Sequence, residues 1–186
     1  TTYTPSALDT VAGTITLTLS TTGNGQCKST GDQLSLELIP VPIVDAGPDE
    51  LVCANTFGYA LSGSAMNATG GRWYTSGTGV FGPATNALSA TYFPTSADTA
   101  AGFVNLILES RGTPLCENVR DTLRLEFESV PIVNAGEDLT ICADAAGIAN
   151  LSGTVSNATS GVWSSSGSGS FSPSRNGLTA AYTPSL

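Results

Sequence analysis

Hydrophobic and polar positions alternate along much of this chain. In Thr14-Ile-Thr-Leu-Thr-Leu-Ser20, Ile15, Leu17 and Leu19 fall on one side of an extended backbone and the threonines on the other. The following run repeats the pattern with Leu34, Leu36 and Leu38, so the pair predicts two half-buried strands. The same inner face returns further on as Val104, Leu106 and Leu108, then Leu123, Leu125 and Phe127. There the outer face differs, because Phe103 and Ile107 stand where the first copy has threonines. Turn clusters such as Ser20-Thr-Thr-Gly-Asn-Gly25, Ser76-Gly-Thr-Gly79 and Arg111-Gly-Thr-Pro114 separate the runs, and no stretch has helical periodicity long enough to count.

The recurrence extends beyond these runs. Tyr3-Thr-Pro-Ser6 returns as Tyr92-Phe-Pro-Thr95 and Tyr182-Thr-Pro-Ser185. Cys27 and Cys53 return 89 residues later as Cys116 and Cys142, and Pro42-Ile-Val-Asp-Ala-Gly47 returns as Pro131-Ile-Val-Asn-Ala-Gly136. Self-similarity at a fixed spacing marks a tandem array. The prolines around Pro40, Pro42 and Pro131 cannot donate to a sheet ladder and stiffen a connection, so they set the linkers. The expected organisation is the C-terminal half of one repeat in 1–41, a complete repeat in 42–130 and the N-terminal part of a third in 131–186. Six or seven short strands in about ninety residues predict an all-β fold of immunoglobulin-like β-sandwich repeats. With neither an initiator Met nor a leader, and with Thr1-Thr-Tyr-Thr-Pro5 opening in mid-pattern, the chain reads as a piece of something longer.

Composition narrows the function. Only 11% of residues are charged, the net charge is −9, and there are few cationic side chains, which disfavours nucleic acid and anionic membrane surfaces. Leu38-Ile-Pro-Val-Pro-Ile-Val44, the most apolar stretch, is short and twice broken by proline, so membrane insertion is not expected. Without histidine there is no Ser-His-Asp or Cys-His arrangement, and no phosphate-cradling loop occurs. The carboxylates, Glu37, Glu126 and Glu128 among them, scatter over strand faces and turns, so the expectation is no enzyme and no cofactor.

The four cysteines lack zinc-site spacing, so disulfides in an oxidising compartment are expected. A Cys53–Cys116 bridge would tie the first strand of the complete repeat to the loop before its last, and Cys27 and Cys142 would then pair outside the fragment or between copies. The competing pairs, Cys27–Cys53 and Cys116–Cys142, would span each linker. Trp73 and Trp163 occupy one position of the repeat and are expected in the core, with a sugar-stacking platform as the rival role. Asp45, Asp49 and Glu50 surround a glycine with oxygens that a calcium ion would take, while Asx residues beside glycine are also ordinary turn formers. Asn67-Ala-Thr69 and Asn157-Ala-Thr159 fit the N-glycosylation sequon, although both precede glycine-containing turns.

The string Gly70-Gly-Arg-Trp-Tyr-Thr-Ser-Gly-Thr-Gly-Val-Phe81, with Leu88-Ser-Ala-Thr-Tyr-Phe-Pro94 and Ala100-Ala-Gly-Phe-Val-Asn-Leu106, resembles a known kind of repeat. It is similar to the PKD-like, immunoglobulin-like modules of giant surface adhesins of gliding Bacteroidota, the SprB-type gliding adhesins. That resemblance implies a long extracellular filament exported by a type IX secretion system, held at the cell surface and serving attachment and gliding. It also implies O-glycosylation at Asp-Thr-hydrophobic signals, which would fall on Thr10, Thr99 and Thr122. The partners would be neighbouring repeats of the same chain, with head-to-tail self-assembly and surface polysaccharide as further ones. Two other functions compete with a structural stalk: carbohydrate-binding repeats, and accessory domains of a secreted glycan-degrading enzyme.

Overall fold

A computed structural model describes residues 1–113, 115–142 and 147–185. The chain is all-β, built of immunoglobulin-like sandwich repeats. It divides into two compact units, one of Thr1–Leu51 with Thr56–Glu126, the other of Val52–Asn55 with Phe127–Leu186. The division falls within a strand, a few residues before the linker expected at Pro131, and residues 1–41 group with the first unit.

The first unit opens with a short helix, α1 (Ala7–Ala12), and a hairpin of β1 (Thr14–Ser20) and β2 (Gly31–Glu37). Leu17 faces Leu34 across this antiparallel pair. Over residues 42–130, the span expected to be a complete repeat and called so below, the chain continues with β3 (Ile43–Asp45), β4 (Glu50–Cys53), β5 (Tyr59–Ala60), β6 (Ser64–Met66), β7 (Gly70–Thr75), β8 (Val80–Gly82) and β9 (Thr91–Phe93). The span ends with a second short helix α2 (Ser96–Ala101), then β10 (Phe103–Arg111) and β11 (Arg120–Glu128).

One sheet has the order β4-β11-β10-β7; opposite it lie β5-β9-β8 and the pair β3-β6. Leu106 pairs with Leu123 in the same register as Leu17 with Leu34. Between the sheets Trp73, Tyr92, Val104, Leu106, Leu108, Leu123 and Leu125 are fully buried, and a core of this size supplies the main driving force for the repeat. Close approach across it leaves no room for a side chain at Gly71, where a Cβ would press on Leu108 and Leu88. Arg124 N–H donates to Asp49 Oδ1 at 2.8 Å, and further along Ala54 N–H donates to the Glu128 carbonyl at 2.8 Å. Numbers rise together, so β4 runs the same way as β11.

Helices α1 and α2, absent from the sequence-based expectation, are too short for periodicity to show. Each is under two turns long and fixed by its ends: Ser6 and Thr95 cap their helices reciprocally with Asp9 and Asp98, and Gly13 and Gly102 terminate them in the left-handed region at φ 74° and 82°.

The second unit holds β12 (Ile132–Asn134), β13 (Ala149–Ser152), β14 (Thr154–Ser156), β15 (Ser170–Ser172) and β16 (Thr179–Thr183). Their pairing, β12-β14 and β13-β16-β15, copies the second sheet of the complete repeat. Fine detail is copied too. Gly63 N–H to the Leu88 carbonyl returns as Gly153 to Leu178, and Trp73 N–H to Thr85 returns as Trp163 to Arg175. Phe81 and Tyr92, with ring centroids 5.1 Å apart, return as Phe171 and Tyr182 at 5.0 Å. The exception is residues 160–165, which match β7 in sequence but form no strand. In the complete repeat β7 owes its ladder to β10, and among the described residues of the second unit there is no counterpart of that strand. Trp163 therefore stands half-exposed in an open groove of about 300 Å³, lined also by Val133, Val155 and Leu178.

Candidate functional site: an arginine and tyrosine cluster on one sheet face

Alternation along β10 sends Val104, Leu106 and Leu108 inward and leaves Glu109 on the outer face. Cross-strand neighbours flank it there, with Arg120 opposite on β11 and Arg72 opposite on β7. Arg120 grips the Glu109 carboxylate through Nε at 2.5 Å and a terminal nitrogen at 2.5 Å, while Arg111 reaches its other oxygen at 3.0 Å. Tyr74 Oη donates to the same oxygen at 3.4 Å and accepts from Arg111. Over the Tyr74 ring stand three guanidiniums, of Arg72, Arg111 and Arg120, at 5.4, 6.0 and 5.9 Å from its centroid.

This geometry buries Glu109 to 5% exposure on a nominally outer face. Burial alone would raise its pKa, but the hydrogen bond and charge of Arg120, the charge of Arg111 and the Tyr74 hydroxyl together hold it below the ordinary carboxylate range. One carboxylate against three guanidiniums leaves local positive charge in a chain of net charge −9. The cluster belongs to the middle repeat alone. Ser20, Thr22 and Gly31 take the places of Glu109, Arg111 and Arg120, and Val162 and Ser164 those of Arg72 and Tyr74. Chemically the face suits an anionic, hydroxyl-rich ligand, which arginine forks and an aromatic ring hold together.

A second cluster is internal. Tyr92 Oη donates to Asp98 Oδ2 at 2.9 Å, while Asp98 also receives the amides of Thr78 at 2.7 Å and Thr95 at 2.9 Å. Burial works against its ionisation, yet these amides and the Tyr92 and Thr78 hydroxyls hold its pKa down to about 2. The first repeat keeps the device as Tyr3 on Asp9 at 2.6 Å. The aspartate of the Asp9-Thr10 and Asp98-Thr99 pairs thus has a structural use as the capping partner. Thr10 and Thr122 are exposed, whereas Thr99 is half-buried and its hydroxyl turns back to the Ser96 carbonyl.

Trp73 is 1% exposed, its ring stacked on Phe81 and its Nε1 donating to the Leu88 carbonyl, so no sugar reaches its face. Asp45 and Asp49 do not gather with Glu50 into a cation site: Asp45 Oδ1 accepts from Gly47 N–H as an Asx turn, Asp49 accepts from Arg124, and Glu50 begins β4 exposed. Among the described residues no three Cys, Asp or Glu side chains cluster closely enough to hold a metal ion. Asn67 and Asn157 adopt left-handed conformations, φ 54° and 57°, and each side-chain amide donates to the carbonyl of an entering residue, Val41 or Val130. Phe103 stays exposed, with the Arg124 guanidinium 3.7 Å from its ring centroid.

The expected Cys53–Cys116 bridge is not formed in this structure, and the strand direction sets the two cysteines at different ends of β11. Cys53 is half-buried at the end of β4, next to the residue bonded to Glu128, the last residue of β11; Cys116, also half-buried, lies before Arg120, the first. The nine residues of β11 separate these ends by roughly 26 Å, against Cα separations below about 7 Å in a disulfide. None of the four cysteines is bridged to another within the chain.

No protein-family model matches the chain, and no curated protein does. Among solved structures it is similar to protocadherin gamma B2 extracellular cadherin domains 3–6, at 13% identity and a TM-score of 0.41, covering 96% of this chain and 50% of that one. It is also similar to the human desmocollin-1 ectodomain, at 10% identity and a TM-score of 0.33, covering 96% of this chain and 39% of that one. The chain thus spans half or less of either structure.

Proposed function

We propose that this chain is a structural segment of the stalk of a large, secreted cell-surface adhesin, in which stacked sandwiches give reach and tensile strength. What supports the reading is the copying of one unit at a spacing of 89 to 90 residues, down to single hydrogen bonds such as Trp73 to Thr85 and Trp163 to Arg175. Residues 42–130 form the complete repeat in this scheme, and its partners are the repeats before and after it. Residues 1–41 and 131–186 carry the C-terminal half and the N-terminal part of a repeat, so two copies joined head to tail would unite them. Export by a type IX system, a role in gliding, and glycans on Thr10, Thr99 and Thr122 belong to the same proposal. Intact mass and negative-stain images of the native polypeptide test it: a mass far above 18.8 kDa with thin filaments is the expected result, and a compact particle with a catalytic domain would favour an enzyme's accessory domain instead.

A second reading is favoured by one observation, the positive cluster around Tyr74 that only the middle repeat carries. On it, the repeat binds an acidic polysaccharide through Arg72, Arg111 and Tyr74. Retention on an immobilised uronic-acid or sulfated glycan, weakened by salt and lost in Arg72→Ala with Tyr74→Ala, is the expected result. Equal retention by the wild type and the double variant would refute it.

A further inference from the structure

The two cysteines of the complete repeat sit at opposite poles. At the entering pole the Val41 carbonyl accepts from Asn67 at 3.0 Å and Thr69 N–H donates to the Arg111 carbonyl at 2.9 Å, at the end of β10. The connection from β10 to β11 leaves from here and carries Cys116, whose carbonyl accepts from Thr113 Oγ1 at 2.9 Å. The leaving pole is marked by Glu128, bonded to Ala54 beside Cys53. Only Ser129, Val130 and Pro131 then separate β11 from β12, and Asn157 renews the entering geometry by donating to the Val130 carbonyl at 2.9 Å. The pole bearing Cys53 is therefore the one from which the next repeat departs, and a repeat's entering pole is the one that bears a cysteine of the Cys116 type.

We infer that the cysteine ending β4 in each repeat forms a disulfide with the cysteine preceding β11 in the repeat that follows, stapling consecutive repeats across their linker. The inference rests on the tandem-array reading. Cys142 is the equivalent of Cys53, and Cys27 that of Cys116. The counterpart of Cys53 thus belongs to the repeat begun by residues 131–186, and that of Cys116 to the repeat ended by residues 1–41. Geometry favours this pair over the others. A three-residue linker spans at most about 11 Å, within reach of an eight-residue connection, whereas the pair within one repeat is held apart by the whole of β11. Chemically, two thiols give up two protons and two electrons to a disulfide oxidant such as oxidised glutathione, which leaves as two glutathione thiols after a mixed-disulfide step.

The test extends the full chain beyond Leu186 with a second copy of its own residues 8–41, which the repeat spacing aligns with 97–130. After oxidation in a glutathione buffer, peptides are mapped without reduction and free thiols are alkylated. Iodide quenching of tryptophan emission reports in parallel whether half-exposed Trp163 has become buried. The expected result is Trp163 protected and Cys53 joined to the appended copy of Cys27, with Cys116 and Cys142 alkylated and the bridge absent when the appended copy carries Cys27→Ser. Protected Trp163 with Cys53 still alkylated, or Cys53 joined to Cys116, would overturn the staple alone. Unprotected Trp163 would overturn the tandem-array reading, and the staple with it.

Discussion

Tyr92 donates its hydroxyl to the buried carboxylate of Asp98, and the same hydroxyl accepts from Gly79 N–H at 3.1 Å and from Thr75 Oγ1 at 3.1 Å. Strand β9, helix α2 and the turn after β7 are thereby tied at one point. Tyr92→Phe leaves Asp98 short of a donor and is expected to lower stability by about 1–2 kcal/mol, and Asp98→Ala by more, as read from urea midpoints.

Acid sensitivity follows from the same carboxylate. Its pKa in the folded state, about 2, lies below the ordinary 3.8, so its contribution is fully present above pH 4 and is lost as pH falls toward 2. The size is about 2 kcal/mol, and Glu109, also held low, adds in the same direction. Stability measured from pH 6 down to 2 should fall for the wild type, and fall less steeply for Asp98→Asn, which starts lower.

The outer-face cluster gives an asymmetric expectation. Glu109→Ala leaves three guanidiniums facing one another and should cost about 2 kcal/mol, whereas Arg72→Ala, which has no ion pair to Glu109, should cost under about 1 kcal/mol. Thermal melts of the two variants check the difference.

Asn67 combines a left-handed backbone with a side-chain bond to the linker. Asn67→Gly keeps the first and loses the second, while Asn67→Ala loses both, so the losses should be about 1 and about 2 kcal/mol respectively. Chemical denaturation of both variants distinguishes them.

Calcium is expected to have no influence, since Asp45 and Asp49 each accept from a backbone amide, as does Asp121 from Ala46 at 2.7 Å. Melting curves with added calcium and with a chelator should superimpose. A calcium-dependent rise would mean that these side chains rearrange around a cation.

Much of this fold was legible in the sequence because its information is local. Alternation placed Leu106 and Leu108 inside, and glycine-rich turns marked the strand ends. What escaped is relational. The run from Leu51 to Cys53 reads as a strand, but nothing in it says that the neighbour is β11 or that the two run the same way, and the cysteine pairing turned on that. Glu109 occupies an outer position by parity; its burial comes from Tyr74 and Arg72 on β7 and Arg120 on β11. Helix α2 was within reach, through Thr95 with Asp98 three residues later and Gly102 beyond, although the Asp98-Thr99 pair also fitted a modification signal.

The shared direction of β4 and β11 has a mechanical consequence. Both strands lie near the ends of the repeat's chain, so pulling those ends apart drags one strand lengthwise past the other. Their hydrogen bonds then bear the load in shear, all at once, where an antiparallel hairpin pulled from its open end would unzip bond by bond. A repeat wired in this way yields to extension only when those bonds break together.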